Sequence, residues 1–228
     1  ERIVAAIKTV GGDTPKFLLN THYHGDHTGG NENLGKEGTL IFSHDNVRES
    51  LRADSFIQEF EMKSVALSKA GLPIVTFSKD ISFHLNNDTV HAIHAPHAHT
   101  DGDSFIYFKN ANVIHAGDIF FNGFYPFIDV NHGGSLKGVI NAVDLLLSMA
   151  DDSTKIIPGH GPLADKAQLK SYRQMLSTAY DRLKTLKGAG QSTAEAIAAK
   201  PLADLEETWG NGLFTGDRWI EIIYNGVY

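Results

Sequence analysis

The sequence predicts a mixed-sheet α/β domain, and three observations carry that expectation. Short apolar runs rich in Ile, Val and Phe alternate with longer stretches of helical periodicity. Some neighbouring runs are separated only by hairpin-length turns, while others are joined through a helix, so parallel and antiparallel pairing should coexist. A chain of 228 residues can bury one sizeable core, and a single domain over residues 1–228 is expected.

Taken in order, Glu1 to Val10 places Ile3, Val4, Ile7 and Val10 on one helical face, closed by Gly11-Gly12. Phe17 to Thr21 and Thr39 to Ser43 read as short buried strands. Asp45 to Ser68 has helical spacing through Val47, Leu51, Ile57, Phe60 and Val65. Ile74 to Phe77 and Ile81 to Leu85 read as strands, and Asn86-Asn87-Asp88 turns the chain into a strand over Val90 to Ala95. Ser104 to Phe108 and Val113 to Ala116 form a second hairpin around Lys109 to Asn112. Helices follow from Leu136 to Met149 and from Asp165, a plausible N-cap, to about Lys187. Between them Lys155 to Ile157 is one more strand. Thr193 to Ala199 is a short helix, and Leu213 to Tyr228 is mixed in pattern.

Composition narrows the function. The formal net charge of −7 argues against a nucleic-acid backbone as partner. No apolar run reaches membrane-spanning length, so no membrane partner is expected. There is no cysteine, so a metal would be held by nitrogen and oxygen.

The chemistry gathers where strands end. After Phe17 to Thr21 comes His22-Tyr23-His24-Gly25-Asp26-His27. In an extended segment His22 and His24 project to the same side, and Gly25 lets the backbone turn Asp26 and His27 toward a neighbouring point. Three imidazoles and a carboxylate suit adjacent zinc ions. A histidine-rich loop that binds nothing is the bland alternative, disfavoured by the order of residue types. Three further loops repeat the theme: Pro96-His97-Ala98-His99-Thr100-Asp101-Gly102-Asp103, then Gly117-Asp118, then Pro158-Gly159-His160-Gly161-Pro162.

On these residues the chain resembles the metallo-β-lactamase superfamily. Its His-x-His-x-Asp-His signature is met by His22, His24, Asp26 and His27, its third histidine by His99, its bridging acidic position by Asp118 and its last histidine by His160. The resemblance implies an αββα sandwich of two mixed β-sheets flanked by helices. It assigns His22, His24 and His99 to one zinc, Asp26, His27 and His160 to the other, and Asp118 to both. It further implies a metal-bridging hydroxide that cleaves a small ester, thioester, lactone or amide, with a β-lactam among the candidates, and Asp26 orienting that hydroxide and handling its proton. Iron or manganese would suit the same donors. An iron persulfide-dioxygenase-like enzyme with one metal is the rival reading, and a catalytically idle metal-binding domain is the third. Similarity to many bacterial members suggests the periplasm or secretion.

The likeness runs from about residue 16 to 162 and departs in two places. Members carry several strands before the signature, whereas here it begins at His22, so the domain is expected to start before residue 1. In the best-known β-lactamase subclass a cysteine stands at the Asp118 position, with a lysine three residues on to grip the substrate carboxylate. Here that later position is Phe121, so hydrolysis of β-lactams by that route is not expected.

The remaining candidates carry two readings each. His94, His97 and His115 are read as ordinary hydrogen-bonding histidines, with support of the ligands as the alternative. Asp101 and Asp103 are either acceptors behind the ligands or turn residues. Phe120, Phe121, Phe124, Tyr125 and Phe127 either wall the site for the apolar part of a small-molecule substrate or pack the loop onto the core. His44, His84, His91 and His132 have no motif behind them.

Overall fold

The computed structural model describes residues 2–227, which fall into two compact units divided after Lys79. The first begins with α1 (Arg2–Thr9). Gly11, at φ +82°, closes this helix: its N–H donates to Lys8 O, and Gly12 N–H reaches Ile7 O. That double bond satisfies the orphan carbonyls at the helix end. Next come β1 (Phe17–Leu19), α2 (Gly25–Thr28), α3 (Asn31–Lys36), β2 (Leu40–His44) and α4 (Asp45–Leu51). A small antiparallel pair, β3 (Ser55–Ile57) and β4 (Met62–Ser64), precedes β5 (Val75–Phe77). Strands β1, β2 and β5 form a parallel sheet in that order, with Phe17 opposite Leu40 and Phe42 opposite Val75. Its outer strands are β1 and β5, and Phe17, Leu40 and Val75 stay open to solvent.

One expectation fails here. The helix predicted over Asp45 to Ser68 stops at Leu51, and residues 55–64 are a hairpin instead. Ile57, Phe60 and Val65 satisfy a helical spacing by coincidence. The decisive pattern is period two: Phe56 is 54% exposed while Ile57 is buried. Glu61 makes the turn at φ +52°, outside the helical basin.

The second unit carries β6 (Asp80–Leu85), β7 (Asp88–His94), β8 (Ser104–Phe108), β9 (Val113–Phe121), α5 (Leu136–Met149), β10 (Lys155–His160), α6 (Lys166–Gly188), α7 (Thr193–Ala198), α8 (Glu206–Trp209) and α9 (Gly216–Ile223). Its sheet has the order β10-β9-β8-β7-β6, with β10 parallel to β9 and the other pairs antiparallel. The sheet is therefore mixed, as predicted. Asn86 and Asn87 both take positive φ in the turn between β6 and β7, a conformation asparagine tolerates well.

Helices flank this sheet because their apolar faces demand it. Helix α5 buries Leu136, Val139, Ile140, Val143 and Leu146, each worth roughly 1.5–3 kcal/mol of apolar transfer. Helix α6 buries Leu169, Tyr172, Leu176, Ala179 and Leu183, and Arg173 grips Asp144 of α5 through two bonds of 2.7 and 2.9 Å. As expected, Asp165 caps α6: it accepts from Gln168 N while Gln168 Oε1 accepts from Asp165 N, both at 3.0 Å. Among the described residues no helix is long and apolar enough to cross a membrane.

Candidate metal centre

The first unit delivers His22 and His24 on the loop between β1 and α2, and Asp26 and His27 on α2 itself. Asn20 leads into it, buried, with its N–H on Phe42 O of β2. Its side chain exchanges two bonds of 3.0 and 2.9 Å with the amide of Asn31, which also donates to Gly71 O. This buried amide pair ties the loop to α3. Tyr23 packs with Val47 and Leu51, against Leu67 and Leu72, and its ring centroid lies 4.5 Å from that of His24. Gly25 then starts α2, and Thr28 Oγ1 donates to both Tyr23 O and His24 O.

That scaffold gathers the four side chains. The His22 and His24 rings stand edge to face with centroids 4.9 Å apart, and His22 and His27 centroids are 4.2 Å apart. A ligand-type nitrogen of His22 lies within 4.8 Å of one on His24. Asp26 Oδ2 lies 3.2 Å from His27 Nε2. Thr21 Oγ1 engages His22 Nδ1 at 3.1 Å, which orients the ring with Nε2 on the opposite side.

The second unit assembles the other three. His99 is fully buried and its Nδ1–H donates to Phe127 O at 2.8 Å, which leaves Nε2 as the nitrogen facing the cluster. That Nε2 lies 3.6 Å from Asp118 Oδ2, and His160 Nε2 lies 3.3 Å from the same oxygen. Asp118 stands near the end of β9, buried between two imidazoles. Gly159 makes room for it, since a Cβ there would overlap Asp118 Oδ1. The β9–β10 register shifts at Pro158 and His160, which re-aims the histidine, and Asn122 N–H holds His160 O at 2.9 Å. Phe121 stacks on His160 at 4.9 Å and 28°, and Phe127 meets His99 edge-on at 5.6 Å.

The other predicted candidates have these surroundings. Asp103 accepts from Thr100 N and Thr100 Oγ1, both at 2.7 Å, and braces the loop that carries His99. Burial pushes its carboxyl up to about 8, against the pull of those two bonds; the nearby Asp118 charge pushes the same way. His94 bonds Asp103 O, His97 bonds Gly133 O, and His115 accepts from Gly117 N. His44 caps α4 by accepting from Asn46 N, His91 faces Asp80, and His84 faces Thr89. Phe120 packs on Tyr172 and Tyr125 stacks on Trp219, both in the core, while Phe121 and Phe127 lie against His160 and His99. Sequence reasoning missed the Asn20–Asn31 pair and the bidentate contact of His132 Nδ1 with Asp129, 2.8 Å to each oxygen.

A family model described as the metallo-beta-lactamase superfamily matches residues 1–160. The chain belongs to the metallo-β-lactamase superfamily. The match ends at His160, so α6 to α9 lie outside it. A relative from Bacillus subtilis (strain 168), Probable metallo-hydrolase YqgX, is 24% identical over 159 residues, spanning 68% of this chain and 72% of that protein. Among solved structures, the BLEG-1 B3 metallo-β-lactamase aligns with TM-score 0.65 and 21% identity over 77% of this chain and 83% of the other. A metallo-β-lactamase from Pontibacter korlensis aligns with TM-score 0.59 and 19% identity, over 77% and 75%. TTHA1623, solved in a di-iron-bound form, gives 0.57 and 22%, over 74% and 80%. The superfamily fold, with several sheets and flanking helices, is thereby the fold of this chain.

Proposed function

We propose that the chain is a metal-dependent hydrolase holding two divalent cations, zinc in the first instance. The observation that carries this reading is Asp118 Oδ2 placed 3.6 and 3.3 Å from Nε2 of His99 and His160. A buried carboxylate oxygen shared by two imidazoles is costly unless a cation gathers them, and an all-nitrogen-and-oxygen donor set suits zinc. By superfamily membership, His22, His24 and His99 hold one ion, Asp26, His27 and His160 the other, and Asp118 serves both. Iron fits the same donors, and the relative TTHA1623 was solved with two irons. Cations bound there would supply Lewis acidity, lowering the pKa of water and offsetting charge on a developing oxyanion.

The chain's own side chains do the rest. Asp118 offsets part of the positive charge. Asp26, whose side chain is 57% exposed, takes the proton of the attacking water and returns it to the leaving group. Phe121 and Phe127 flank two ligand histidines with apolar surface, favouring a substrate with an apolar portion. No lysine or arginine occurs from Ile119 to Leu136, so that stretch itself supplies no cation to clamp a strongly anionic group, and any clamp would come from elsewhere in the chain. A small ester, thioester, lactone or amide matches that environment.

The test joins metal analysis of freshly purified protein with a hydrolysis screen over those four classes. Turnover abolished by chelation and restored by zinc supports the reading. Metal-free protein with full turnover would remove it, and iron with oxygen consumption would favour a dioxygenase.

A further inference from the structure

We propose that Asp129 and His132 are positioning residues that aim His99 at the metal. The inference rests on the metal centre proposed above and concerns what fixes one of its ligands. The His99 ring is oriented by its Nδ1–H bond to the Phe127 carbonyl. That carbonyl belongs to a segment outside any strand or α-helix, residues 122–135, so something other than a sheet ladder must hold it.

The structure shows what does. Asp129 N–H donates to His99 O at 2.8 Å, and Gly134 N–H donates back to Asp129 O at 2.9 Å. Asp101 N–H reaches His132 O at 3.0 Å, and Ser135 N–H reaches Ala98 O at 2.9 Å. The two segments can lie backbone to backbone because positions 133 and 134 are glycine. A Cβ on Gly134 would overlap the His99 carbonyl, and one on Gly133 would come within 2.7 Å of Asp101 Cβ.

At the centre of this clamp is a carboxylate that is 1% exposed. Asp129 places both oxygens 2.8 Å from His132 Nδ1 and accepts the His132 backbone N–H at 3.2 Å. Ser135 already caps α5 through Gly138 N–H, so Asp129 is not needed to start that helix. The Asp129 carboxylate caps the 3-10 turn over residues 130–132 by accepting the His132 N–H, and its contact with the His132 ring ties both ends of that turn together. This stiffens the turn that presents the Phe127 carbonyl and the Asp129 N–H to His99.

Groups that orient a metal-binding histidine typically change metal affinity by about 10–100-fold when removed. Full-length protein is titrated with zinc against a competing chelator for the parent, Asp129→Asn, His132→Ala and His132→Asn. Asp129→Asn and His132→Ala are expected to weaken one of the two zinc ions about tenfold or more and leave the other unchanged. His132→Asn puts an amide N–H near the position of Nδ1 and should restore most of the loss. In metal-free protein, long-range proton–nitrogen NMR should show the Nδ1–H form of His99 in the parent and a mixture in Asp129→Asn. Variants that bind both ions within twofold of the parent would overturn the inference, as would equal loss at both ions. Should Asp129→Asn fail to fold, His132→Ala carries the test, because that side chain is 30% exposed. A parent that binds no zinc sinks the metal centre itself; a parent that binds two, with unaffected variants, sinks only the positioning role.

Discussion

Gly159 lies flat against the carboxylate of Asp118, so that a methyl group on its Cα would overlap Oδ1 and crowd the Gly117 backbone. The glycine next to His160 therefore does more than permit a turn. It gives Asp118 the space to sit between His99 and His160. Gly159→Ala should keep the fold and lose at least about tenfold in zinc affinity, as displaced ligands generally do. Chelator competition with circular dichroism on the same sample checks both halves of that expectation.

Asp26→Asn removes the proposed proton acceptor while keeping the shape of the side chain. General acid–base groups contribute about 10²–10⁴-fold, so kcat should fall by at least about a hundredfold. The thermal midpoint of the metal-free protein should scarcely move, because the side chain is exposed. Full turnover by Asp26→Asn would assign the proton to another group.

Asn31→Ala breaks the reciprocal amide pair with Asn20 and strands a buried polar side chain. The cost should be about 1–3 kcal/mol, read from the denaturant midpoint. Because Asn20 opens the loop that carries His22 and His24, zinc affinity should fall with stability. Asn31→Asp is expected to be no milder, since the replacement cannot donate to Asn20 Oδ1 and Gly71 O.

Asp103 sets a pH dependence in the metal-free protein. Its carboxyl titrates near 8 when folded, against 3.8 for the exposed group. Between those values the folded state keeps a proton that the unfolded chain has released, so stability should decline as pH rises from about 4 to about 8. Asp103→Asn, neutral throughout, should flatten that decline. Denaturant midpoints at pH 5 and pH 8 measure it. Parallel slopes for the two proteins would mean that another group titrates.

Legibility in the sequence followed a physical divide. The strand-end loops could be read because the superfamily's signature has particular residue types in a particular order, as from His22 to His27. Helices α5 and α6 could be read because one apolar face at helical spacing implies a core, and Asp165 with Gln168 marks a start. The hairpin over residues 55–64 could not, because Ile57 and Phe60 stand three apart as on a helix face, while strands of three residues are too short to display an alternation of their own. Asn20 with Asn31, eleven positions apart, and Asp129 with His132 are polar partners whose meaning lies in contacts that no periodicity records. Phe121 and Phe127 are half legible: an aromatic run announces packing, but only geometry shows which rings touch His160 and His99.

The outer strands of the three-stranded sheet bear on handling at high concentration. With Phe17, Leu40 and Val75 accessible beside hydrogen-bonding groups of β1 and β5, the protein should self-associate as it is concentrated. Ammonium sulfate should promote that association and a little urea should relieve it, well below the dose that melts the core. A lysine at position 17 or 75 is then the simplest route to a monodisperse sample for crystallisation.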